Sequence, residues 1–294
     1  MNTTKEYQSV GRQKWRRLVN GIMLTLTVVA TAVVVAPLIW ILIYVAQQAL
    51  PAINLAFFTQ LPTPVGVPGG GIVNAIVGSF MTVGLGVCIA APIGILAAFY
   101  AASHPNTTFG LLIRFGTDVI SGVPSIVMGI FAYSIIVLPQ RHFSAVSGGV
   151  VLSFIMLPII VRTTEEMLKL VPNTLREASL ALGAPEWKTS FSVVLPAAFN
   201  GVLTGLVLAV ARAAGEAAPM LFTSFGNPFM NTDLNQPVAT LPHLVYVYAV
   251  SPYADWHAKA WATALVLILL VLLSNVLVRL AVWWRVRQLG NVAR

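Results

Sequence analysis

Charge is scarce in this sequence. Only 9% of its 294 residues are Asp, Glu, Lys or Arg, against roughly 25% in an ordinary soluble domain. A soluble globule of this length needs a mostly solvated exterior, so that class is excluded. Disorder is excluded too, because 57% of the residues are hydrophobic. Cysteine is nearly absent: Cys88 alone lies in an apolar run, which rules out an internal disulfide. No GxxxxGK[ST] phosphate loop occurs, nor even a Gly-Lys dipeptide to seed one, so the chain does not cradle a nucleotide by that route. The four histidines (His104, His142, His243 and His257) are scattered without ligand spacing, which argues against a metal site. No Ser-His-Asp or paired-carboxylate arrangement marks the chain as an enzyme. The net charge of +8 would point to nucleic acid in a soluble protein. Here the basic residues flank apolar runs, which assigns them to membrane topology and anionic lipid headgroups.

What is present is lipid-soluble helix. Runs of about 20 apolar residues predict six spans in an all-α polytopic membrane protein, at 21–46, 73–102, 109–138, 147–169, 197–225 and 259–284. The first run, Ile22 to Ala46, exceeds the core of a cleavable signal and reads as a retained anchor. Positive residues crowd one set of ends: Lys5, Arg12, Lys14, Arg16 and Arg17; Arg114; Lys169, Arg176 and Lys188; and Arg279, Arg285, Arg287 and Arg294. The opposite connections hold only Arg141 and Lys259. By the positive-inside rule both termini are expected in the cytoplasm. The expected organisation is a cytoplasmic tail (1–20), a first span with its outer loop (21–72), a core at 73–284 and a short tail (285–294). Segment 61–71, LPTPVGVPGGG, reads as an ordered, turn-rich outer loop. Segment 226–258 is aromatic enough for a short helix at the outer face.

Connection 171–196 reads VPNTLREASLALGAPEWKTSFSVVLP. Thr174 and Glu177 have capping-box spacing, Gly183 suits a left-handed stop, and Pro185 forbids continuation. Two short helices are expected, one presenting Leu175, Ala178 or Ser179, and Leu182, the other Trp187, Phe191 and Val194. Nothing else in the chain is large enough to cover both stripes, so they read as a docking knob for another protein. The spacing of Glu177-Ala178-Ser179, Gly183, Val193 and Leu195-Pro196 resembles the EAA loop of ABC importer permeases. Ser179 and Val193 depart from that pattern while keeping its size classes. The resemblance implies a type I (MetI-like) permease whose coupling helix, including Glu177, Ala178, Ser179, Leu182 and Gly183, seats in a cytoplasmic ATPase.

Two buried charge patterns are parallel. Arg162 and Glu166 close the fourth span, and Arg212 and Glu216 lie in the fifth, each pair at i and i+4. A charge at the bilayer centre costs at least about 2.5–3.5 kcal/mol, so its presence marks a role. A guanidinium fork suits an oxyanion. A neighbouring carboxylate accepts a hydrogen bond from a protonated oxyanion and repels one without a proton. A structural ion pair would use the same residues, and for Arg162 both a pathway position and an inner gate fit. Asp118, four residues after Arg114, is expected to pair with it, and Gly122 with Pro124 to bend the third span. The runs RAAGEAAPMLFTSF (212–225), GVPSIVMGI (122–130), RTTEEML (162–168) and NTDLNQPVATLP (231–242) resemble the phosphate-uptake members of the same permease family. That resemblance implies inward phosphate transport across a bacterial inner membrane. It also implies a homologous second permease, two ATPase copies that bind ATP and Mg, and a periplasmic phosphate-binding protein. A sulfate or molybdate permease, or a proton-coupled carrier working alone, are the competing expectations.

Overall fold

The computed structural model describes residues 3–67 and 69–292, all helix, turn and loop except for one isolated bridge between Phe225 and Val238. Arg294, among the positive residues used for topology, lies outside the described residues. Helix α1 (Thr3–Ala49) is followed by a 3-10 turn and the short α2 (Leu55–Thr59). Next come α3 (Val73–Ser103), α4 (Thr108–Gly122), α5 (Ser125–Ala132) and the three-residue α6 (Leu138–Gln140). Helix α7 (Ala145–Lys169) leads to α8 (Asn173–Ala181), α9 (Glu186–Thr189) and α10 (Leu195–Ala214). The chain ends with α11 (Ala218–Thr223), α12 (Leu241–Ala249) and α13 (Ala254–Val292).

Five helices are long and apolar enough to cross a membrane, and the bent α4–α5 pair makes a sixth candidate. The bend expected in the 109–138 span at Gly122 and Pro124 is present, and it is sharp enough to divide that span into two helices. The helices meet at 103°, because Pro124 lacks an N–H and pushes Val123 to extended backbone (φ −78°, ψ 128°). One correction concerns 197–225. Helix α10 stops at Ala214 with Gly215 as its C-cap, and a separate α11 follows with Pro219 in its first turn. At its other end α10 continues unbroken through a π-helical turn (190–194) from α9.

The core forms where α3, α5, α7, α10 and α11 converge on Ala90, Met128, Leu152, Met156, Ala209 and Met220. In lipid there is no hydrophobic drive between helices, so close approach over small residues has to supply the attraction. Gly205 shows the point: a Cβ there would lie 2.0 Å from Thr163 Oγ1. Helix α1 is different. None of its most apolar window is buried, and it leans on α13 at its outer end, where Tyr44 meets Trp261 edge-on.

The outer loops are held by hydrogen bonds among their described residues, Pro68 of the 61–71 segment lying outside them. Thr63 Oγ1 donates to the carbonyls of Val67 (3.1 Å) and Gly69 (2.9 Å), and Lys259 Nζ reaches Gly69 O at 2.8 Å. The aromatic outer segment contains α12, whose Leu241 and Tyr248 are buried with Phe57 and Ile72. Beside it a 550 Å³ pocket is lined by two buried polar atoms with no hydrogen-bond partner among the described residues, Asn74 Oδ1 and His243 Nδ1. Burial of His243 pulls its pKa below the ordinary 6.5. The unfolded chain therefore binds a proton that the native state refuses, and stability falls as pH drops below 6.5 until His243 protonates in the native state as well. His243→Leu should flatten that limb in thermal unfolding scans of the detergent-solubilised protein between about pH 8 and about pH 5. An unchanged limb would place the titration elsewhere.

Candidate functional site

Both helix breaks face one cavity. It measures about 300 Å³ and is lined by Ser121 and Ser125 on either side of the α4–α5 break, by Pro158 and Ile159 of α7, and by Arg212 and Glu216 at the α10–α11 break. Backbone that leaves the helix inside a membrane is tolerated where it lines a cavity. The local reasons are Pro124 on one side and Gly215 on the other. Arg212 is exposed and Glu216 half-buried. They are not the i, i+4 ion pair expected from the sequence, since Glu216 lies beyond the end of α10 and they form no salt bridge among the described residues. A guanidinium and a separate carboxylate, not paired with each other, therefore border the same hollow. Chemically, that arrangement offers a fork of N–H groups and an acceptor to a small oxyanion carrying a proton.

The second expected pair is also rearranged. Arg162 does not meet Glu166, which is exposed; its Nη2 binds Asp118 of α4. Asp118 is consequently not the partner of Arg114. Arg114 Nε donates to Glu165 Oε1 at 2.8 Å, while its Nη1 and Nη2 donate to the carbonyls of Pro105 (2.9 Å) and Ala101 (2.8 Å). It thereby caps the carbonyl end of α3, where a cation is favoured. Lys169 Nζ also reaches Glu165, at 2.7 Å. Pairing within one helix assumed that each helix stands alone; in the fold, α4 and α7 pack antiparallel and offer each charge a partner across the seam.

Sequence reasoning missed Glu165. Its side chain is 8% exposed, and it ties α7 to α4 and the end of α3. The available signal was Glu165–Lys169, with Glu on the N-terminal side of Lys at i, i+4. Removing Glu165 leaves the partly exposed Arg114 and Lys169 without their carboxylate, at a cost of about 1–3 kcal/mol. Glu165→Ala should accordingly lower the unfolding temperature in detergent, whereas Glu166→Ala, at an exposed position, should leave it nearly unchanged.

Both short helices of the 171–196 connection form, the second starting after Pro185 as expected, but it runs on without a break into α10. The capping box is not formed. Helix α8 begins at Asn173 after Pro172, with no side-chain cap, which places Thr174 inside the helix. Gly183 does adopt the left-handed conformation (φ +82°), with its N–H on Leu180 O at 2.9 Å. Nothing lies within 4 Å of where its Cβ would be, so the need for glycine there is purely conformational. Ser179 turns inward, its hydroxyl 2.8 Å from that of buried Thr189, which braces α8 against α9. Glu177 and Ala178 stay exposed, and Leu182 is 89% exposed. The expected second stripe splits: Trp187 points out, Phe191 stacks on Phe99 at 5.6 Å, and Val194 is buried in the core.

A helical membrane protein with broken spans around a polar cavity and an uncovered helix at one end has the architecture of a transporter's membrane subunit. Residues 90–282 match the family described as "Binding-protein-dependent transport system inner membrane component", and the chain belongs to that family. The fold resembles that of a chain in the inward-facing MetNI methionine ABC transporter, with a TM-score of 0.55 and 19% identity over 72% of this chain and 93% of that one. It is thus a MetI-like type I importer fold. Among curated proteins, the chain is 43% identical over 269 residues to the "Phosphate transport system permease protein PstA" of Yersinia pestis, covering 91% of each. It is likewise 43% identical over 267 residues to PstA of Haemophilus influenzae, covering 90% of this chain and 94% of that one. At greater distance, the "Probable phosphate transport system permease protein PstA" of Methanocaldococcus jannaschii is 33% identical over 270 residues.

Proposed function

We propose that this chain is a membrane subunit of an ATP-driven importer of inorganic phosphate, and that phosphate passes through the cavity at the two helix breaks. The observation that carries this reading is Arg212, a guanidinium without an ion-pair partner among the described residues, lining a polar hollow that Glu216 also lines. Hydrogen phosphate gives its O–H to Glu216 and takes N–H groups from Arg212. Sulfate, with no proton at neutral pH, meets Glu216 as a like charge. Arg162 lies one helical turn from the cavity wall at Ile159, toward the end of the molecule that carries α8, and belongs to the same path.

The exposed ridge of Glu177, Ala178 and Leu182, held by the turn at Gly183 and by Ser179, is the surface on which an ATPase docks. The chain has no Walker loop of its own, so ATP and Mg are bound by two such PstB-like subunits. Their closure drags the ridge and rocks the spans between outward- and inward-open states. A PstC-like second permease completes the pathway, and a PstS-like phosphate-binding protein delivers substrate to the outer loops at 47–72 and 226–258. The catalytic step is the partners' hydrolysis of ATP; this subunit binds and moves. Both termini lie on the cytoplasmic side of a bacterial inner membrane. The reading is tested by phosphate uptake in cells whose only copy carries Arg212→Gln. Loss of uptake with an assembled complex supports it; normal uptake overturns it.

A further inference from the structure

The seam between α4 and α7 carries three polar levels about one turn apart. Because the two helices are antiparallel, stepping back along α4 descends together with stepping forward along α7. The top level is the cavity, where Ser121 and Ile159 meet Arg212 and Glu216. The middle level is Asp118 with Arg162, and the bottom level is Arg114 with Glu165 and Lys169.

These levels hold their cations with graded firmness. Arg212 has no ion-pair partner among the described residues. Arg162 engages one carboxylate through a single nitrogen, and the two side chains are 54% and 56% exposed. Arg114 commits three nitrogens to a carboxylate and two carbonyls, against a Glu165 that is 8% exposed. The bottom level is a fixture. The middle one is weakly held, as exposed ion pairs are, and an oxyanion offers a guanidinium the same parallel acceptors as a carboxylate.

We propose that Asp118 is the resident competitor of the transported anion. It occupies Arg162 while the path is empty, yields the guanidinium to a phosphate stepping down from the Arg212 cavity, and returns the anion to water when it reclaims its partner. Arg162 is thereby neutralised whenever no phosphate is on it. An anion arriving from the α8 side meets a carboxylate instead of a bare cation, which opposes backward flow. The exchange moves no proton and breaks no covalent bond. Asp118 is a positioning residue acting through Arg162, and the inference rests on the Arg212 cavity being the phosphate path.

The test is retention of [32P]phosphate by the purified complex, this chain with its partner subunits and without the binding protein, under equilibrium filtration. Asp118→Asn should retain phosphate more tightly by about two- to fivefold, the scale of competition from a partly exposed ion pair. Arg162→Gln added to Asp118→Asn should cancel the gain, and Asp118→Glu should bind like the parent. A merely structural pair gives no gain on losing its carboxylate. Unchanged or weaker binding by assembled Asp118→Asn overturns the proposal. Asp118→Ser removes the charge with a smaller side chain and must give the same gain; if neither variant assembles, the pair is structural and the proposal falls. Arg212→Gln separates the two readings. If it binds and transports normally, the cavity reading fails. If it is inactive while Asp118→Asn binds like the parent, only the role of Asp118 fails.

Discussion

Phosphate uptake falls on the order of a hundredfold when Arg212 is replaced by glutamine, the scale on which losing one positioned anion donor is felt. Glutamine keeps two N–H groups but is two atoms shorter and loses the charge and the fork. Lysine keeps the charge without the fork, so Arg212→Lys should recover only part of the rate. The substitution costs the fold little, because Arg212 makes no ion pair among the described residues and is exposed. Complex assembly and membrane levels should therefore stay at those of the parent. Initial rates of [32P]phosphate uptake in phosphate-starved cells, with subunit levels read by immunoblot, check this. A variant that transports normally would leave the guanidinium without a transport role.

The second large effect lies at the other end of the molecule. Leu182→Glu places a charge at the most exposed apolar position of the α8 ridge, 89% accessible in this chain, so the fold is not disturbed. If that leucine is an anchor in an ATPase cleft, losing it costs about 2 kcal/mol of docking, hence about thirtyfold in affinity. Co-purification of the ATPase should drop accordingly, and ATP-driven uptake with it. Gly183→Val acts differently, forcing a β-branched residue into a left-handed turn at a cost of about 1–2 kcal/mol. It should unfasten the ridge without touching the docking surface. Retention of the ATPase by Leu182→Glu would move the interface elsewhere.

Sequence reasoning reached some parts of this structure and not others, for physical reasons. Pro124 announced its bend because a missing N–H and a clash act locally. Gly183 did the same because only glycine sits comfortably at φ +82°. The charges were misassigned wherever the partner lies on another helix. Arg162 has a carboxylate at i+4 in Glu166 and prefers Asp118; Arg114 has one at i+4 in Asp118 and prefers Glu165. An i, i+4 rule describes an isolated helix, and these residues sit on a helix–helix seam whose register the sequence does not reveal. Glu216 shows the opposite failure: spacing placed it on a helical face, but the helix stops at Ala214. The π turn at 190–194 has no sequence mark at all, which is why α9 read as separate from α10. Residue types at the site were legible; their partners were not.

Arg212 handles the anion, and the ATPase engine works independently of it. Proteoliposomes carrying the complete complex, loaded with ATP on the ATPase side and given phosphate with its binding protein on the other, report both quantities at once. With Arg212→Gln the account predicts phosphate accumulation near background while ATP hydrolysis continues at a rate close to that of the parent. Accumulation at the parental rate, or hydrolysis collapsing together with transport, would contradict it.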